Sequence, residues 1–361
     1  MGKKRSFLLL LLLVVPAAGY VVEGDLAYRH YQQDGVAIQE HCGGFSPIRV
    51  CVHAPGAVFS AFYRSYVDAH TPLFLIDYSS SEPIDLQLTV SITGFSQQET
   101  RTVTATANTQ FWSFIPPPQD LALQQLTSEK STLLHVEATD TKGHMYYKSD
   151  TPLLLHSRRL MQWTTANRLK IAAWVTPEDP AVVQLVGRAT THLRDQIPPL
   201  PRGFIGYKAT TVQEIVDQVD AIYDTLRLNY HIRYVQDDMP DTLLTDGNAD
   251  TQEIKLPAEI LQEQSGMGIE LTTLLAAAVE HIGLHSEIVI IPGHAFLGVA
   301  VNEHEARFEY WDMVDINKNI AGDSANVQAD NLYLANAHQH AIVDTIRLSD
   351  ARQALIGPML S

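Results

Sequence analysis

Cysteine is almost absent from this chain of 361 residues. The sequence contains two, Cys42 and Cys51, and none follows them. A thiol nucleophile is therefore excluded from the whole C-terminal part. In an exported chain, two cysteines nine positions apart most simply form a disulfide that closes a small loop. A reactive thiol at Cys42, beside His41, is the alternative.

Basic residues are scarce relative to acidic ones. The chain has 25 Lys and Arg against 41 Asp and Glu, and its formal charge at pH 7 is −16. This excess of negative charge repels nucleic acids and anionic membrane surfaces and favours solubility. We therefore expect no nucleic-acid partner.

Long apolar runs are missing except at the N-terminus. A basic start at residues 3–5 is followed by an apolar core at residues 7–15 and small residues at 17–19, which is the pattern of a signal peptide over residues 1–19. The apolar run is shorter than the roughly 20 residues that span a bilayer. We therefore predict an exported protein, secreted, periplasmic or at the cell surface, without a transmembrane anchor in the mature chain; an uncleaved anchor is the alternative.

The rest of the chain divides into three predicted parts. Residues 20–55 lack periodicity and are predicted to form an N-terminal extension that contains the disulfide. Residues 56–160 contain short apolar segments separated by turn residues, and 86–92 alternates strictly, as in a half-buried strand. This spacing predicts an all-β sandwich of immunoglobulin-like type. Residues 161–361 mix helical and strand patterns, which predicts an α+β domain.

Histidine pairs offer little prospect of a metal site. His281 and His285 are four residues apart, but Gly283 interrupts the helix that would align them as ligands. A second pair, His338 and His340, is no better placed. We predict neither a metal nor a cofactor.

The most informative segment runs from Leu256 to Asp315. A loop at residues 265–268 enters an apolar helical pattern that Gly283 terminates, and strands are predicted at 287–291, 294–301 and 307–314. One strand opens on a histidine and another ends near an acid. A loop entering a helix, then a histidine, then an acid is how a nucleophile, a base and an orienting residue are usually presented.

The motifs of this segment resemble those of a known family. Leu-Pro stands at 256–257, Gly-x-Gly-x-Glu-Leu at 266–271, Pro-Gly-His-Ala-Phe at 292–296 and Trp-x-x-x-Asp at 311–315. The set is similar to the core of the transglutaminase-like superfamily, which has a papain-type layout, and most closely to its exported bacterial branch. The resemblance extends from about residue 171 to residue 358, about half of the chain. It implies a transglutaminase-like fold for the C-terminal domain.

The resemblance also implies roles for individual residues. His294 matches the general base and Asp315 the acid that orients it, with Asp312 as a competing candidate. The position of the nucleophilic cysteine is occupied by Gly268. Glu270 matches an acidic residue early in the helix. Two aromatic residues are further candidates for ligand binding, although the first is more typical of core packing: Trp311 and Phe296.

Three hypotheses about function follow. In the first, the domain is a pseudoenzyme that binds a peptide, a glycan or a cell-surface protein, because glycine supplies no atom to attack a carbonyl. In the second, it is an active hydrolase or acyltransferase on peptide amides that uses Ser265 or a water activated by His294. In the third, both domains are purely structural.

Overall fold

A computed structural model describes residues 38–196, 203–236 and 250–359. The signal segment at residues 1–19 lies outside the described residues, so its prediction stays untested. Within the described ranges, no helix is long and apolar enough to cross a bilayer. The chain is mixed α/β with several sheets.

The chain forms two compact units, and neither is continuous in sequence. The first comprises residues 38–57, 70–117 and 132–153 of the described chain, and the second comprises residues 58–69, 118–131 and everything after 153. The chain crosses between the units for the last time after residue 153. Within the first unit, residues 38–55 include two paired strands.

The first unit is built from strands. One of its sheets has the order β1-β2-β4-β7 and a second sheet has the order β3-β9-β8-β5-β6. The alternation of residues 86–92 predicted a half-buried strand, and β5 has that burial pattern. The strands are β1 (Ile38–Gly43), β2 (Ile48–Pro55), β3 (Ala57–Phe59), β4 (Phe74–Ser80), β5 (Ile84–Ile92), β6 (Glu99–Ala105), β7 (Gln110–Phe114), β8 (Lys130–Asp140) and β9 (Met145–His156).

The two cysteines lie opposite each other in the β1–β2 pair. The antiparallel register aligns Cys42 with Cys51, and the two sulfur atoms are bonded. The predicted disulfide is confirmed, and the alternative of a reactive thiol at Cys42 is wrong.

The second unit contains most of the helices. Its largest sheet is antiparallel, with the order β16-β15-β14-β17, and two short pairs, β10-β12 and β11-β13, lie apart from it. The helices are α1 (Tyr63–Asp68), α2 (Asp120–Gln125), α3 (Pro180–Gln196), α4 (Val212–Leu228), α5 (Pro257–Glu263), α6 (Gly268–His281), α7 (Gly322–His338) and α8 (Leu348–Gln353), with 3-10 turns at Ser60–Phe62, Arg168–Trp174, Gly206–Lys208 and Val314–Lys318. The strands are β10 (Leu160–Trp163), β11 (Arg233–Tyr234), β12 (Asp250–Glu253), β13 (Ser265–Gly266), β14 (Ser286–Ile291), β15 (His294–Ala300), β16 (Phe308–Trp311) and β17 (Asp344–Arg347).

Helix α6 is the buried helix of this unit. Its side chains from Ile269 to Val279 are all buried, as the continuous apolar pattern predicts. The helix ends where expected, because Gly283 has a φ of +79°, in the left-handed region that favours glycine. Helix α6 packs against β14 and β15. This packing positions the start of the helix relative to the start of β15.

Candidate functional site

The N-terminus of α6 is held by Glu270. Its Oε2 accepts a hydrogen bond from the backbone N–H of Met267 at 2.9 Å, and its Oε1 accepts one from the N–H of Lys255 at 2.8 Å. Burial raises the pKa of Glu270, while these bonds and the nearby Lys255 ammonium lower it. Glu270 therefore connects two loops at the helix start, and its binding role stays a prediction.

His294 opens β15 and is held by an aspartate. Its Nε2 lies 2.8 Å from Oδ2 of Asp312, the first residue after β16. Oδ1 of the same carboxylate accepts a hydrogen bond from the N–H of Val314 at 3.0 Å. With Nε2–H donating to Asp312, the neutral imidazole leaves Nδ1 as its acceptor.

Asp312, rather than Asp315, is therefore the acid that contacts His294. Asp315 lies within the 3-10 turn at Val314–Lys318 and forms an ion pair with Lys318, at 2.7 Å. The predicted strand at 307–314 ends earlier, at Trp311. This places Asp312 just past the strand end and carries Asp315 away into the turn.

The second ring nitrogen of His294, Nδ1, is directed at Gly268. A Cβ atom built on Gly268 would lie 3.4 Å from Nδ1 of His294 and 3.5 Å from the hydroxyl oxygen of Tyr234. One ring nitrogen thus faces the first residue of α6 and the other faces Asp312. This is the arrangement that a nucleophile, a base and an orienting acid require, with no side chain at the nucleophile position.

Tyr234 belongs to this site but is absent from the sequence predictions. It lies on β11, which pairs in parallel with β13. The side chain of Asn317 fixes its backbone: Oδ1 accepts from the Tyr234 N–H at 2.9 Å and Nδ2 donates to its carbonyl at 2.8 Å. No motif marks Tyr234, because only the pairing of two-residue strands brings it beside the start of α6.

The cavity at Gly268 is small. Its volume is about 10 Å³, close to the minimum that holds one water molecule. Binding sites for small molecules usually enclose roughly 300–1,000 Å³, so this cavity by itself is too small to enclose such a molecule. The lining residues are Tyr234, Gln252, Met267, Gly268, Ile269, Gly293, His294 and Ala295.

Ser265, the alternative nucleophile, is not part of this cavity. It lies on β13, and its hydroxyl donates to the carbonyl of Glu263 at 3.4 Å. It does not line the cavity beside His294. The geometry gives no support to a serine-based mechanism.

The two aromatic candidates are core residues. Phe296 and Trp311 have no exposed surface. Phe296 packs edge-on against Tyr310, and the indole Nε1–H of Trp311 donates to Oδ1 of Asp220 at 2.8 Å. Burial raises the pKa of Asp220 to about 7, an effect that the Trp311 hydrogen bond opposes. Neither aromatic ring can contact a ligand without a rearrangement of the core.

The histidine pair considered as metal ligands does not form a cluster. Nδ1 of His285 lies 3.0 Å from Glu305, and Nδ1 of His281 lies 3.6 Å from Glu178. Across the described ranges, the one group of ligand-type residues with converging atoms contains both disulfide cysteines. That group is unsuited to a metal, because its thiols are oxidised.

Comparison with known proteins provides no match. No protein-family model, no curated protein and no solved structure matches the chain. The function therefore has to be inferred from the chain's own motifs and geometry.

Proposed function

We propose that the second unit is a transglutaminase-like domain that has lost its nucleophile and acts as a binding module of an exported protein. The observation that carries this proposal is the position of His294. Its Nδ1 lies 3.4 Å from where a Cβ on Gly268 would stand, and its Nε2 lies 2.8 Å from Asp312. A histidine with a purely structural role does not need to contact both an acid and a helix N-terminus. A catalytic base needs both contacts, because the acid orients the imidazole and the nucleophile stands at the helix N-terminus.

The same geometry argues against catalysis. Loss of the nucleophile of a serine protease such as subtilisin lowers turnover by a factor on the order of 10⁶, and glycine has no side-chain atom to replace it. A water held by His294 is the remaining candidate for the attacking group. The cavity of about 10 Å³ has room for roughly that water, so the water would have to attack a carbonyl bound outside the cavity.

The first unit supports an extracellular role. Its β1–β2 pair is joined by the Cys42–Cys51 disulfide, and such bonds persist in oxidising compartments. We propose that this unit is an immunoglobulin-like module and that residues 1–19 direct export. The partner of such a protein would be a peptide, a glycan or a cell-surface protein.

A turnover assay tests the proposal. We expect the wild-type chain and His294→Ala to release p-nitroaniline from peptide anilides, and to transfer amines to glutamine peptides, no faster than buffer. His294→Ala is the informative control, because it removes the base without touching the capping residue Glu270. Turnover that is present in the wild type and lost in His294→Ala would overturn the proposal.

A further inference from the structure

A second, much larger cavity lies in the second unit. Its volume is about 700 Å³, within the range of small-molecule sites. It is formed by β14, β16, β17, α7, α8 and the loop before β16, and it shares no lining residue with the cavity at Gly268. Its walls include three aromatic side chains, Phe308, Tyr310 and Tyr333. Neither the predicted triad nor the disulfide accounts for it.

The cavity wall carries excess negative charge. Five carboxylates line it, namely Glu287, Glu305, Glu309, Asp330 and Asp350, against two arginines, Arg307 and Arg347. The two arginine side chains are 65% and 45% exposed, so much of their charge is in solvent. This balance of charge favours a cationic ligand over an anionic one.

Glu287 is the most deeply buried of these carboxylates and has weak partners. Its side chain is 3% exposed; Nε of Arg347 lies 3.5 Å away, and the hydroxyl of Tyr310 donates to it at 3.3 Å. Charge-assisted hydrogen bonds are normally about 2.7–2.9 Å long. Burial raises the pKa of Glu287, and the charge of Arg347 and the hydrogen bond from Tyr310 offset this rise only in part. These two contacts use two of the roughly four acceptor sites of a carboxylate.

The wall already holds one organic cation. The guanidinium of Arg347 lies over the ring of Phe308, 5.4 Å from its centroid, while its Nε faces Glu287. An aromatic face together with a buried carboxylate is the chemistry that recognises ammonium and guanidinium groups. A bare metal ion fits less well, because no three ligand atoms of the lining residues converge as a metal would require; the one such group in the described chain is elsewhere.

We propose that this cavity is a binding site for an organic cation, an ammonium or guanidinium group presented by a polyamine or by a Lys or Arg side chain of a peptide. The ligand would enter from the side of Asp350 and Leu334, which are exposed, and place its charge near Glu287. This inference gives the binding role of the proposed function a site and a ligand class, and it does not depend on the state of the Gly268 site.

Isothermal titration calorimetry of the full chain with two probes tests the inference. Spermidine represents free polyamines, and the blocked tripeptide Gly-Arg-Gly represents a peptide side chain. We expect at least one to bind. Glu287→Gln should weaken binding by about tenfold or more, since it removes a charged hydrogen-bond acceptor from a buried position. Asp350→Asn, at the rim, should weaken it less and guards against a folding defect in the first variant.

The matched control is Glu303→Gln, which removes one exposed charge outside the cavity. It should leave the affinity within about twofold, because an exposed charge is screened by solvent. Binding of spermidine alone or of the peptide alone would identify the source of the cation, and either supports the inference. No binding of either probe, equal weakening by Glu303→Gln, or competition by an equimolar amount of Ca²⁺ would overturn it. Those results would not affect the inactivity of the Gly268 site, which the turnover assay measures separately.

Discussion

Restoring the missing side chain should create a reactive thiol in a chain that otherwise has none. In Gly268→Cys, the new Cβ would contact Nδ1 of His294 and the hydroxyl of Tyr234 at 3.4 and 3.5 Å, which are ordinary van der Waals distances. The sulfur atom would then enter the cavity of about 10 Å³ that holds roughly one water. The variant is therefore expected to fold, because no backbone atom obstructs the new side chain.

The expected reactivity follows from two opposing effects. An unperturbed thiol has a pKa of about 8.5. A helix N-terminus and a neighbouring imidazolium lower the pKa of a thiol, and we expect a value of about 6.5 for the new cysteine. At about pH 6.5, the thiolate fraction then rises from roughly 1% to roughly 50%, while the lower basicity reduces intrinsic nucleophilicity by about eightfold. The net prediction is alkylation about sixfold faster than that of an ordinary cysteine.

The assay is the rate of iodoacetamide labelling at pH 6.5, followed by intact-protein mass spectrometry. Wild type provides a background of zero, because both native cysteines are in a disulfide. Ser324→Cys is the matched control: it lies exposed in the first turn of α7, so it has a helix N-terminus but no histidine. Adding His294→Ala or Asp312→Asn to Gly268→Cys should reduce the rate toward that of Ser324→Cys. A Gly268→Cys thiol that reacts no faster than Ser324→Cys would refute the assignment of roles.

Two further predictions concern the supports of the site. Glu270→Ala should lower the free energy of unfolding by about 1–3 kcal/mol, because it leaves two partly buried N–H groups without an acceptor. Glu270→Gln keeps an acceptor oxygen and should cost less. Urea titrations measure both losses, and equal losses would contradict the capping role. Asp220→Asn should stabilise the chain at pH 8 but hardly at pH 4. The folded-state pKa of Asp220 is raised from 3.8 to about 7, so its contribution to stability is present below its ordinary pKa and is lost as the pH rises through 7. At about 1.4 kcal/mol per unit, the upper limit of the effect is about 4 kcal/mol. The measurement is the difference in unfolding free energy between variant and wild type at the two pH values, and a difference that does not change with pH would contradict the account.

Local patterns were sufficient to predict several elements of both units. The alternation of β5, the apolar face of α6 and its glycine terminator depend on a side chain's own neighbours along the chain, so the sequence predicts them. The same holds for the histidine at the start of β15, which follows directly from the Pro292-Gly293 turn. The disulfide could be predicted because the chain contains no competing cysteine.

The choice between Asp312 and Asp315 needed the sheet register. Tyr310 pairs with Gly298, and alternate residues of a strand share a face, so Asp312 continues the face of Tyr310 and His294 continues that of Gly298. Asp315 has the opposite parity and lies in a turn. The family resemblance matches residues by their order along the chain, so it does not show which residues of β15 and β16 are paired.

The sequence by itself determined the order of the helices and strands around the site, the disulfide and the glycine at position 268, because these depend on residue identity and local periodicity. Only the tertiary structure decided which acid contacts His294, that Glu270 caps a helix, that Tyr234 lines the site and that the cavity at Gly268 has room for little more than a water. It also placed carboxylates from β14, β16, α7 and α8 around the cavity of about 700 Å³. Each of these depends on distances between segments far apart in the chain, which are set by packing and strand pairing.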